Sequence, residues 1–220
     1  MDHRGHGRGI RTFAPFRLAD CADDAASLLN ELGINKAIPV GYSMGGPVAL
    51  LMWRRHRDMV NGLMLCATAG SFSHSRGERM AFLGLTGLGA LARFTPSSAR
   101  VFLTERLFLR RKTGKWGPWA ISQVELNDWR MVLEAGHAIG AFTSLEWLKE
   151  IDVPTSHIIT LRDPVIPVKR QLALFSGITN AHAVRIDAEH DAIVAQAPQM
   201  AQMIINGVHS IIERSDSATA

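Results

Sequence analysis

Cysteine is scarce in this chain, long apolar runs are missing, and no tract has biased composition. Only Cys21 and Cys66 occur among 220 residues. Their spacing fits neither a metal-ligand set nor a disulfide framework, so both read as small core residues in a reducing compartment. No apolar stretch reaches the roughly 20 residues of a membrane span. No apolar h-region follows the opening Met1–Gly9, so no secretory leader is read there and a cytoplasmic location is expected. Internal repeats are absent too. Lysine and arginine number 24 against 20 acidic residues, but they are scattered apart from one knot, Arg110-Arg111-Lys112. That distribution argues against a nucleic-acid partner.

What is present suits one α/β domain with an insertion. Hydrophobic residues make up 47% of the chain, enough for a sizeable core. Residues 18–32 carry a helical period that stops at Gly33, a C-cap signal. Short apolar runs at 37–41, 62–67, 156–160 and 182–187 read as strands. Residues 44–56 and 195–213 read as helices. Strands alternating with helices predict a mostly parallel sheet covered on both faces. Residues 71–150 break the rhythm. They hold Trp116, Trp119, Trp129 and Trp147 and read as several helices inserted between the second and third strands. The expected division is therefore a core of 1–70 with 151–220, and a helical lid of 71–150 lining an apolar pocket.

The chemistry concentrates in Gly41-Tyr42-Ser43-Met44-Gly45, followed by Gly46. G-x-S-x-G between a strand and a helix is the pattern of a nucleophile elbow. A glycine-rich strand-to-helix turn also serves as a plain turn or a phosphate cradle, so the motif needs partners. A serine hydroxyl needs a base, most often a histidine held by a carboxylate. Asp163 follows the strand at 156–160, and His190 follows the strand at 182–187. Both loops open at the carboxyl ends of strands, where open parallel sheets place their sites. Asp152 precedes its strand, Asp187 and Asp191 crowd His190 in sequence, and His56, His74 and His209 read as surface residues.

With these residues in the order Ser, Asp, His, the chain resembles the α/β-hydrolase superfamily, and within it lidded esterase/lipase-like members. Asp2-His3-Arg4-Gly5-His6-Gly7-Arg8-Gly9 resembles the family's D-x-R-G-x-G-x-S loop, with Gly9 where serine is common. Val153-Pro154-Thr155, Arg162-Asp163, Pro167, Glu189-His190-Asp191 and Pro198 add further matches. The resemblance implies Ser43 as nucleophile, Asp163 as orienting acid, His190 as general base and Met44 as one oxyanion N–H donor. Tyr42 and His137 are the expected substrate contacts. No metal and no organic cofactor is implied.

The family carries about three strands, and the body of a fourth, ahead of the loop at which this chain starts. An α/β-hydrolase fold lacking the usual first strands is therefore expected, with residues 37–41 as an unpaired edge. An upstream true start, a homodimer through that edge, or an inactive remnant would each account for it; the first is favoured. The leading functional expectation is a serine hydrolase acting on an apolar ester or related acyl substrate. The alternatives are an impaired fragment, a non-catalytic binding protein of the same fold, or other chemistry such as C–C hydrolysis, a haloperoxidase-like activity or acyl transfer.

Overall fold

In the computed structural model, residues 1–73, 77, 78, 80, 82, 84 and 126–219 are described. His74, Trp116, Trp119, the basic knot and most of the 71–150 insertion lie outside these residues, as does the side chain of Trp129. Two compact units emerge. The larger comprises Leu18–Phe72 and Phe142–Ala220, the smaller Met1–Arg17 and Ser73–Ala141.

The larger unit holds four strands: β1 (Val40–Tyr42), β2 (Leu63–Cys66), β3 (Thr155–Thr160) and β4 (Ala181–Ile186). They pair in parallel in the order β1-β2-β3-β4. Every residue of β2 and β3 is buried, as expected for inner parallel strands, while the outer strands are partly exposed. The helices are α1 (Leu18–Glu31), α2 (Gly45–Arg55), α4 (Val168–Gly177), α5 (Ala192–Ala195) and α6 (Ala197–Thr219). On one side of the sheet, Met64, Cys66, Ile158 and Ile186 pack with Met200 and Ile211 of α6. Both cysteines are buried, and burial pushes the Cys66 thiol up to about 12, so it remains a neutral core group.

Local signals set the element ends. Gly33 adopts φ 68°, its N–H bonds Asn30, and Ile34 N–H bonds Leu29, closing α1 with a Schellman arrangement. The strand expected over 37–41 is shorter than its apolar run. Only Val40–Tyr42 forms the ladder, with Ala37 making an isolated bridge to Val60. Pro39 lies between them and has no N–H to donate; its carbonyl still accepts from Met64 at 3.0 Å. Among the described residues, β1 closes one end of the sheet order, and Val40 is half exposed there. Helix α4 has no counterpart in the expected elements, although Pro167 before it is a start signal.

Ser71 and Thr143 form an antiparallel bridge, and the buried Ser144 donates both its N–H and its hydroxyl to Gly70 O. The unit boundaries depart from the sequence-based ones in two places. Trp147, expected in the lid, belongs to the larger unit, where it stacks on the buried Trp53 at 5.9 Å. Residues 1–17, expected in the core, belong to the smaller unit.

In that smaller unit the Asp2–Gly9 segment folds against the start of helix α3 (Trp129–Ala141). Asp2 accepts the Arg8 N–H, and Gly5 O accepts the Asp128 N–H. Gly5, at φ 75°, sits so near Met131 that a Cβ would lie 2.3 Å from that side chain. The buried Arg130 guanidinium donates to Glu134, Ala14 O and Thr12 O, tying the segment to the helix. Among the described residues, no helix is long and apolar enough to cross a membrane.

Candidate active site

Strand β1 ends in a turn that residues other than glycine rarely adopt. Ser43 sits at φ 50°, a left-handed conformation that costs a non-glycine residue on the order of 1–3 kcal/mol. Three bonds hold it there. Ser43 N–H donates to Cys66 O at 3.0 Å, and Ser43 O accepts from Gly46 N at 3.0 Å and from Thr68 Oγ1 at 2.7 Å. Two glycines leave room for the turn. A Cβ on Gly41 would lie 2.3 Å from Gly45 O, and one on Gly46 would lie 2.1 Å from Thr68 Oγ1. The motif places glycine at both flanks of the serine; among the described residues, a Cβ on Gly45 would meet nothing within 4 Å beyond its chain neighbours and its own helix backbone. On the helix side of the serine the crowded glycine is Gly46, one position beyond the motif. Gly46→Ala is therefore expected to lower stability by about 1–3 kcal/mol in urea unfolding. Adding Thr68→Ala should return part of that loss, because Gly46 N–H still satisfies Ser43 O.

Asp163 and His190 come from loops after β3 and β4, at the same end of the sheet as the turn after β1. Ser43 Oγ lies 2.8 Å from His190 Nε2, and His190 Nδ1 lies 2.7 Å from Asp163 Oδ2. An ionised carboxylate only accepts, so Nδ1 carries the proton shared with Asp163. In the neutral imidazole, Nε2 is then left as the acceptor for the serine hydroxyl. The Asp163 side chain is fully buried and its acceptor sites are filled. Oδ1 accepts from Val165 N and Ile166 N at 2.9 and 2.8 Å, and Oδ2 accepts from Thr160 Oγ1 at 2.8 Å besides His190.

Met44 is the residue before α2, in helical conformation at φ −55° and ψ −30°. N–H groups at a helix start have no i−4 carbonyl to bond and carry the positive end of the helix dipole. Tyr42, expected to touch substrate, has its hydroxyl engaged elsewhere: it donates to His190 O at 2.7 Å, with its ring 5.8 Å from the imidazole. Burial pushes that phenol up to about 12, so it stays a donor. His137 is a residue of α3 in the smaller unit, where its Nδ1 lies 3.4 Å from Phe82 O. Two of the rival carboxylates are engaged away from His190: Asp152 accepts Trp53 Nε1–H, and Asp187 accepts Arg162 Nε–H. His56 contacts Asp23, whose carboxyl is held below its usual range chiefly by Arg55. Thr68, Thr160 and the Tyr42 hydroxyl bond are the site features the sequence did not signal, because each bond joins segments distant in sequence or depends on side-chain direction.

Residues 1–202 match the Alpha/beta hydrolase family, and the chain belongs to that family. One curated relative is "Putative carbamate hydrolase RutD" of Caulobacter sp. (strain K31), 28% identical over 177 residues. That match takes in 75% of this chain and 59% of the relative, so the chain spans about three fifths of that relative's length. Among solved structures, a thermophilic esterase from Thermogutta terrifontis superposes with a TM-score of 0.76 at 25% identity, over 96% of this chain and 78% of the esterase. MenH from S. aureus gives 0.78 at 19% identity, over 96% and 82% respectively, a likeness of fold.

Proposed function

We propose that this chain is a serine hydrolase that cleaves an ester or related acyl substrate through an acyl-enzyme. The observation that carries the reading is the unbroken path from Ser43 Oγ through His190 to Asp163, with the serine held at a strained φ of 50°. Ser43 Oγ attacks the acyl carbonyl carbon while His190 Nε2 takes its proton. Met44 N–H donates to the oxyanion as it forms. Collapse expels the leaving alcohol, which takes the proton back from His190. Water then gives a proton to His190 and attacks the acyl carbon; collapse breaks the bond to Ser43 Oγ, which takes that proton from His190, releasing the acid and the free serine. The same steps serve any carbonyl carbon that bears a heteroatom leaving group. The fold likeness to an esterase at 25% identity supports the ester reading. The Leu-, Phe- and Trp-rich residues 73–141 are proposed as the lid that supplies an apolar acyl site, with His137 as a substrate contact.

Intact-mass analysis after fluorophosphonate treatment tests this directly. The expected result is one adduct on the wild-type chain and none on Ser43→Ala. A folded wild type that takes no adduct, or an adduct that persists in Ser43→Ala, would overturn the reading.

A further inference from the structure

We propose that Thr160 and Gln171 are positioning residues that aim Asp163 at His190, an inference that rests on the hydrolase reading above. Gln171 lies in the first turn of α4 and is fully buried, as is Thr160 at the end of β3. A buried primary amide is costly unless its donors and acceptor are used. Here Nε2 donates to Thr160 Oγ1 at 2.9 Å and to Ile166 O at 2.8 Å, while Oε1 accepts Thr160 N–H at 3.0 Å. The amide orientation is thus determined. Exchanging its oxygen and nitrogen would set Oε1 against a carbonyl and Nε2 against an N–H.

That orientation decides where the threonine proton goes. Thr160 Oγ1 receives a donor from Gln171, so its single proton is left for an acceptor, and Asp163 Oδ2 at 2.8 Å is nearer than Gln171 Oε1 at 3.3 Å. The same Oδ2 accepts His190 Nδ1–H. Ile166 closes the arrangement, giving its N–H to Asp163 Oδ1 and its carbonyl to Gln171. The loop between β3 and α4 is laced from behind by a side chain that never reaches the serine. Such supporting bonds hold a reacting group within the narrow geometry that catalysis needs. Removing the Thr160 hydroxyl would leave Oδ2 with His190 as its remaining described donor. The carboxylate would then hold the imidazolium more strongly, and His190 would keep its proton to higher pH. The other titratable groups at His190 are Tyr42 on β1 and the flanking Glu189 and Asp191; none is altered by these substitutions.

The test compares wild type with Thr160→Val, Thr160→Ser and Gln171→Met in two readouts. The first is the NMR titration of the His190 imidazole, which needs no turnover. The second is kcat and KM for a p-nitrophenyl ester across pH 5 to 9. In Thr160→Val and Gln171→Met, the His190 midpoint and the acid limb of kcat should rise by about half a pH unit. Their kcat should fall by roughly tenfold with KM within about twofold, since neither residue touches substrate. Thr160→Ser should restore both. Unmoved midpoints in folded Thr160→Val and Gln171→Met would overturn the inference, as would failure of the serine variant to restore them. A wild type without fluorophosphonate labelling would sink the hydrolase reading instead, and the NMR midpoints would still decide whether Thr160 and Gln171 act on His190.

Discussion

Asp163→Asn is expected to lower kcat by about 10⁴-fold while leaving the fold intact. The reason lies in which oxygen does what. Oδ1 of Asp163 accepts two backbone N–H groups, from Val165 and Ile166. An asparagine must therefore keep its carbonyl oxygen at that position. Its NH₂ falls where Oδ2 was, facing His190 Nδ1 and Thr160 Oγ1. A donor there makes His190 present a lone pair at Nδ1 and carry its proton at Nε2. Nε2 then points a proton at Ser43 Oγ and cannot take one. Thr160 adapts easily, because its hydroxyl can accept where it formerly donated. The measurement is ester turnover and the second-order rate of fluorophosphonate labelling, with near-identical circular dichroism as the control for folding. A variant within about tenfold of wild type would remove Asp163 from its role.

His157→Leu is expected to stabilise the protein, and to do so increasingly as the pH falls. His157 lies in β3, is 1% exposed, and neither ring nitrogen has a hydrogen-bond partner among the described residues. A neutral imidazole there leaves one N–H donor unsatisfied, a cost of about 1–3 kcal/mol. Burial also lowers its pKa from the ordinary 6.5 to about 4. The folded chain keeps this group neutral while the unfolded chain takes up a proton. Stability is therefore full above about pH 6.5, declines as pH falls toward 4, and loses nothing further from this group below that. The difference between 6.5 and about 4 corresponds to roughly 3–4 kcal/mol as an upper bound. Urea midpoints at pH 7, 5.5 and 4.5 should show the gap between His157→Leu and wild type widening downward. Parallel curves would mean that His157 is protonated or solvated in the fold.

His157 also marks the limit of sequence reading. It sits inside a run read as a strand, and the strand is there. Periodicity and apolar content do not say that this strand is an inner one, with both faces covered. Burial was decided by the pairing of β3 between β2 and β4. Helix α4 was missed in the same stretch, although Pro167 precedes it, and with it went Gln171. A glutamine on a surface-like helical turn carries no local sign that its amide will be buried among Thr160, Ile166 and the Asp163 loop.

The sequence by itself determined the parts that depend on a few neighbouring residues. These are the glycine-flanked serine between a strand and a helix, the stop of α1 at Gly33, the apolar runs of the four strands, and the order Ser43, Asp163, His190. Each is a matter of local backbone conformation or short-range periodicity, which composition over a few residues encodes directly. The tertiary structure alone decided which atoms meet across the sheet. It made Gly46 the crowded glycine on the helix side of the serine because Thr68 lies on it, and it turned the Tyr42 hydroxyl to the His190 carbonyl. It also stacked Trp147 on Trp53 and set Thr160 and Gln171 behind Asp163. Those contacts depend on strand order, register and side-chain direction, and the parallel order β1 to β4 brings the Ser43 and His190 side chains together from 147 residues apart.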